Sequence, residues 1–440
     1  MKKLFFIISL FIGITLYGQH SISGSLSPAN EYKWLIAYRL KPGTQVYVAQ
    51  SEVKEGAFKL DLPANSEPGT YRIVYAVPQD EFYFDVIYNG KEDIEVAFSQ
   101  HTGVSFLTSK ENILFNMYFK EINDLEQQIV DYYTQGSQNR NNLKNASLKI
   151  NEVQKSYEEK TMGLMANKFI TSNHVFIPQI DDSVYDYVKG KKDNYFNGMD
   201  VTNPMLQASG FLTNKLANYV FTALPLKTMT PQETEDVIME NVRSVDSKLQ
   251  TVDDKYKLHL FYSLWSQAAA SGKNNVSDFI YTEYLKELAS SQNNEEIISN
   301  IDVHNRLRPG AIAPNLEWHK ENEKKTLSEL NGADNYVLVF WSSTCGHCLR
   351  ELPSLHEEFA SNEKVKVIAV GLEEDELNWK REIKKLNQFE HVIALGKWDS
   401  EYAALYAVNQ TPTYFILDSE KRIIAKPEDN KDVIEFIANN

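Results

Sequence analysis

Trp341-Ser342-Ser343-Thr344-Cys345-Gly346-His347-Cys348 holds both cysteines of this 440-residue chain. Directly before it, Tyr336-Val-Leu-Val-Phe-Trp341 is a continuous apolar run, the pattern of a strand covered on both faces. Directly after it, residues 347–360 carry a helical pattern. The motif is therefore expected at a strand-to-helix junction. A cysteine at a helix N-terminus meets unpaired N–H groups and the positive end of the macrodipole, and both favour thiolate. Cys345 takes that place, and His347 adds positive charge when protonated. Cys348 falls inside the helix on the same side, where it can attack a mixed disulfide formed at Cys345. The pair reads as a dithiol for exchange, with Cys345 as nucleophile and Cys348 as resolving thiol.

Other readings of the two cysteines are weaker. A structural zinc site needs four ligands, and no further cysteine exists to supply them. A purely structural disulfide across two residues closes a tiny loop and stabilises little. A peroxidatic cysteine would want a proline where Leu338 stands. No metal and no cofactor is expected.

Working outward, Val365-Lys-Val-Ile-Ala-Val370, Val392-Ile-Ala-Leu395 and Thr413-Tyr-Phe-Ile-Leu417 are further apolar runs. Helical patterns fall between them at 347–360, 375–388 and 400–407. Strands alternating with helices predict a central sheet with helices on both faces. Pro353 is expected to kink its helix. The acidic run Glu373-Glu374-Asp375-Glu376 reads as helix capping, and His356 and His391 as surface or packing residues. Arg306 to Gly310 forms a turn-rich joint, so this domain is assigned to 306–440.

Upstream the pattern changes twice. In residues 104–305, Leu114, Tyr118, Ile122, Leu125, Ile129 and Tyr133 form one helical stripe, continued by Ile150, Val153 and Tyr157. Thr230-Pro231-Gln232-Glu233 is a capping box with Pro at the first helical position, and Ile238, Val242, Val245 and Leu249 are its buried face. Leu260, Leu264 and Trp265 mark another helix. Aromatic residues in this part read as core. Tyr185 to Pro204 reads as a long loop. Residues 19–103 read as β. Phe82 to Tyr88 and Ile94 to Phe98 alternate around Asn89-Gly90, which predicts a hairpin. A small sandwich follows, and His20 and His101 carry no evident chemistry.

The C-terminal residues also carry a family resemblance. Residues from about 309 resemble a thioredoxin-fold domain of the TlpA/ResA-like branch of bacterial envelope proteins. Ala313-Pro314-Asn315, Phe340-Trp341 before the motif, Glu351-Leu352-Pro353 after it and Thr411-Pro412-Thr413-Tyr414-Phe415 all match that branch. The resemblance covers about 30% of the chain. The parts before it are similar, less specifically, to the extension carried by many thioredoxin-domain envelope proteins of Bacteroidota. The resemblance implies a redox-active disulfide Cys345–Cys348, with Cys345 exposed and Cys348 buried. It implies Pro412 in cis, placing the Thr411 backbone to pair with a substrate strand, and Glu351 as the carboxylate that moves protons. Two departures stand out. Thioredoxin has a buried Asp where this chain has Val339, so Glu351 is the candidate substitute. Gly346-His347 inside the motif is as in protein disulfide isomerase, and His347 should stabilise the reduced thiolate.

Composition bounds the rest. Hydrophobic residues make up 42% and charged residues 24%, ordinary globular values. The net charge of −15 argues against nucleic acid, which needs clustered Lys and Arg. Met1-Lys2-Lys3, an apolar Leu4–Tyr17 and small Gly18 read as a secretory signal over 1–18. That stretch is too short to span a membrane, so no stable insertion is expected after its removal. The expected architecture is an all-β sandwich-like domain (19–103), an α-helical domain (104–305) and an α/β thioredoxin fold (306–440). The expected function is an exported thiol–disulfide oxidoreductase of the periplasm or envelope of a Gram-negative bacterium. It would act on protein thiols and disulfides, as a reductase recharged by a membrane electron donor. The rivals are an envelope scaffold with an auxiliary redox module, and a disulfide isomerase.

Overall fold

Strand Asn335–Trp341 is buried from Tyr336 onward, and everything in the C-terminal part is arranged around it. The computed structural model describes residues 20–136, 139–320 and 323–440. The expected signal segment lies outside them. Residues up to Gln292 form one compact unit and Asn293–Asn440 a second.

The second unit holds a five-stranded sheet in the order Glu390–Leu395, Val365–Glu373, Asn335–Trp341, Thr413–Leu417, Ile423–Ala425. The first three strands are parallel and the last two antiparallel. Alternate residues of the central strand enter two separate cores. Tyr336, Leu338 and Phe340 pack with Leu307, Ala403 and Tyr406 on one face. Val337, Val339 and Trp341 pack with Cys348, Leu352, Leu355 and Phe359 on the other. Burial on both faces explains why the run is apolar without alternation. Helix Cys348–Phe359 continues through Pro353. Two short strands, Glu317–Lys320 and Glu323–Thr326, pair antiparallel, which the sequence pattern does not announce. The units divide at 292/293 and not at the joint 305/306. Helix Glu295–Leu307 goes with the second unit because Val303 and Leu307 pack into its core.

Among the described residues of the first unit, eight strands form two four-stranded sheets that share one core. Ile22, Leu60 and Val96 enter it from one sheet, and Leu35, Ile73 and Val86 from the other. The hairpin at Asn89-Gly90 is corrected. Tyr83–Tyr88 pairs with Gly69–Val74, whereas Ile94–Ser99 pairs with Ser21–Ser27 and Gly103–Phe106. The turn hands the chain from one sheet to the other. Both runs alternate because they face the same core from opposite sides, a pattern that a paired hairpin shares. Gly90 still supplies the positive φ of 78° that the turn needs.

The helical part follows its expected stripes. Tyr118, Ile122, Leu125 and Ile129 of helix Lys110–Thr134 are buried, as are Ile150, Val153 and Tyr157 of Arg140–Lys160. Thr230 and Glu233 form the capping box of helix Pro231–Lys248. The loop expected from Tyr185 to Pro204 is also corrected. Its first half is helix Val184–Asp193, held by a second capping box between Ser183 and Asp186. Among the described residues, no helix is long and apolar enough to cross a membrane.

Candidate active site

The central strand ends at Trp341, and the chain turns through Ser342–Thr344 into helix Cys348–Phe359. Cys345 anchors the turn from both sides. Its N–H donates to the Ser342 carbonyl at 3.0 Å, and its own carbonyl accepts the Leu349 N–H at 3.1 Å. Its side chain then does what an N-cap does: Sγ accepts the Cys348 N–H at 3.1 Å. One of the helix's unpaired donors is thus spent on the sulfur where negative charge would develop.

Cys345 and Cys348 are joined as a disulfide with Cα atoms 5.3 Å apart. Their environments differ sharply. Cys345 is partly exposed, whereas Cys348 has no exposed surface and packs with Val339, Leu352 and Tyr414. Across the site, the Thr411 carbonyl lies 3.5 Å from Cys345 Sγ. Pairing of Phe340 with Thr413 brings that segment opposite the motif. The Thr411–Pro412 bond is cis.

The helix carries Glu351 back toward the motif. Its carboxylate pairs with His347 Nε2 at one oxygen and accepts the Tyr414 hydroxyl at 2.8 Å at the other. The Glu351 side chain is only 12% exposed, so it is not a solvated helix residue. Burial, and secondarily the hydrogen bond to Glu351, push the Tyr414 phenol well above its ordinary value, keeping it a neutral donor. Val339 is fully buried among apolar side chains, so no carboxylate acts from that position.

One residue near the motif was misread from the sequence. Glu373 does not cap a helix. It ends strand Val365–Glu373, is 3% exposed, and accepts both the backbone N–H and the hydroxyl of Ser343. Among the described residues no Lys, Arg or His pairs with it. In register, Trp341 lies beside Gly371, so two more residues of strand place a carboxylate beside the turn. That register was the available signal. Of the acidic run, Glu376 holds the N-cap position of helix Leu377–Glu382 without a side-chain cap, and Asp375 before it accepts the Leu377 N–H at 2.8 Å. His391 bonds the Leu386 carbonyl, and burial holds its imidazole below the ordinary value, consistent with a packing residue. Among the described residues, no three His, Cys, Asp or Glu side chains are grouped to hold a metal ion.

Chemically, the arrangement offers one accessible sulfur with backbone stabilisation, one buried sulfur bonded to it, a half-buried backbone carbonyl beside the accessible sulfur and a tethered carboxylate on the same helix. Comparison with known proteins agrees with that chemistry. A family model described as thioredoxin-like matches residues 332–423. Over 135 residues the chain is 27% identical to the thiol-disulfide oxidoreductase ResA of Bacillus cereus, covering 30% of this chain and 76% of that one. The same values hold for ResA of Bacillus thuringiensis subsp. konkukian. Among solved structures, the thioredoxin domain of a thiol-disulfide oxidoreductase from Bacteroides vulgatus is 22% identical. It covers 30% of this chain and 97% of its own, with a TM-score of 0.28. A thioredoxin-like protein from Bacteroides caccae is 16% identical, covers 61% of this chain and 99% of its own, and has a TM-score of 0.40.

Proposed function

We propose that this chain, a thiol–disulfide oxidoreductase with a ResA-like thioredoxin fold behind a β-rich and helical N-terminal region, is exported and reduces disulfides in other proteins. The observation that carries the reading is the asymmetry of the two sulfurs. Cys345 is reachable and accepts a helix N–H, whereas Cys348 is sealed in the core.

In the reduced protein the Cys345 thiolate attacks one sulfur of a substrate disulfide and releases the other as thiolate, giving a mixed disulfide. Cys348 then loses its proton, with Glu351 as the acceptor, and attacks Cys345 Sγ. The second substrate thiolate leaves, and the Cys345–Cys348 disulfide remains. The substrate has gained two electrons and, after protonation, two protons. The Thr411 backbone beside Pro412 pairs with the substrate strand during exchange. His347 supports the reduced state electrostatically. Export rests on Lys2, Lys3 and the apolar run to Tyr17, and the destination is the periplasm, where a membrane electron donor restores the dithiol.

Insulin reduction by the mature chain tests the activity, with Cys345→Ser expected to abolish it. In the reduced protein near pH 7, iodoacetamide should label Cys345 first by mass spectrometry; Cys348 labelled first overturns the assignment. A redox potential as high as about −120 mV, that of a strong oxidant, overturns the direction.

A further inference from the structure

The first unit holds a cavity of about 700 Å³ that contains no residue of the dithiol site. That volume falls within the range of small-molecule sites, about 300–1,000 Å³. One wall is aromatic. Phe115 and Phe119 sit 4.6 Å apart by ring centroids, Phe169 lies 5.5 Å from Phe115, and Phe211 is 5.6 Å from Phe169 and 6.3 Å from Phe119. On helix Lys110–Thr134 the core stripe runs through Tyr118 and Ile122. Phe119 also packs on the edge of that core, 5.0 Å from the Tyr118 ring, whereas Phe115 lies outside it, so the two carry the apolar surface from the core to the cavity wall.

The charges around the cavity do not cancel. Asp85 lines it, but Arg72 grips both carboxylate oxygens at 2.9 and 3.0 Å. Lys215 also lines it, and among the described residues its ammonium has no ion pair. Its neighbours are the rings of Tyr195 and Phe211, at 5.6 and 5.8 Å. Glu126, the carboxylate whose charge acts on Lys215, is itself bound to Lys191 at 2.6 Å. Burial holds the Lys215 ammonium below its ordinary value. The amides of Asn123 and Asn214 face the same space, and among the described residues neither makes a hydrogen bond within the protein.

We propose that this cavity binds a small amphiphilic carboxylate, its apolar body against the four phenylalanine rings and its carboxylate on Lys215. A half-buried ammonium beside two aromatic rings but without an ion pair leaves its charge uncompensated, and a bound carboxylate supplies the missing charge and acceptor. The Asn214 amide, next in sequence to Lys215, is a second donor. A single cation suits a monoanion better than a polyphosphate, which calls for clustered Lys and Arg. The chain's net charge of −15 repels anions at long range, so an anion that binds must be held locally.

Calorimetric titration of the mature full-length chain with decanoate, 1-decanol and acetate tests the site. Decanoate is expected to bind one to one, at least tenfold tighter than 1-decanol, with no detectable binding of acetate. Lys215→Met should weaken decanoate at least tenfold and leave 1-decanol unchanged. Asn123→Trp, at an exposed helix position on the cavity wall, should obstruct both apolar ligands. Melting curves establish that each variant is folded; if Lys215→Met is not, Asn123→Trp decides the location and the alcohol decides the charge requirement. Absence of decanoate binding, equal binding of the alcohol, or binding unchanged in the folded variants overturns the proposal.

Discussion

Glu351 shows how a helix position acquires a chemical environment. It lies four positions after His347, so the two share a face, and Tyr414 reaches it from the strand beside the central one. A carboxylate fixed between an imidazole and a neutral phenol keeps one orientation and stays near the motif. Glu351→Gln preserves size and helix but cannot accept a proton. Stopped-flow turnover of a model disulfide should slow by about 10- to 100-fold, near the usual scale of general-base contributions. A rate equal to the parent's across pH 6–9 would leave exchange to Cys345, Cys348 and the Thr411–Pro412 segment alone. Tyr414→Phe, which removes the donor and retains the ring, should shift the pH dependence of the same reaction while Glu351 remains.

At the scale of elements, the junction between strand Asn335–Trp341 and helix Cys348–Phe359 is held from a third element. Glu373 at the end of Val365–Glu373 takes two donors from Ser343, two residues before Cys345. Glu373→Ala leaves a buried N–H and a buried hydroxyl unpaired, at about 1–3 kcal/mol for each group left unsatisfied. Thermal unfolding of the variant should shift down accordingly, and Cys345 should alkylate with a changed pH profile because the turn that presents it is no longer fixed. A melting temperature and profile equal to the parent's would mean that water replaces the carboxylate. The strand and helix either side of this junction were legible because a doubly buried strand must be apolar throughout and a helix must repeat near 3.6. Glu373 was not, because its acidic neighbours resemble a helix start and only strand register puts it under the turn. The Asn89-Gly90 turn failed for a related reason: alternation reports which face is buried, not which strand lies alongside.

For the whole molecule, the division at 292/293 has a measurable consequence. The segment 293–440 carries its own sheet, both of its cores and helix Glu295–Leu307, so it should fold alone and reduce insulin. A segment beginning at 309 loses the buried Leu307 and the packing of Val303. Burial of one such side chain contributes about 1.5–3 kcal/mol, so the shorter segment should melt several degrees lower. Equal melting temperatures would show that the helix contributes nothing to that core.

The sequence alone determined the chemistry and the class of fold. Two cysteines two residues apart, between an apolar strand and a helical repeat, permit little besides dithiol exchange, and alternating runs specify sheet and helix wherever one face is buried. Tertiary structure alone decided the partners. It set Glu373 beneath the turn, tied Glu351 to Tyr414, put Tyr83–Tyr88 and Ile94–Ser99 in different sheets, and opened a phenylalanine-walled cavity beside Lys215. The physical reason is that periodicity and capping are short-range, readable within a few residues of chain. Which buried carboxylate meets which donor, and whether an aromatic ring fills a core or lines a cavity, depends on segments dozens of residues apart.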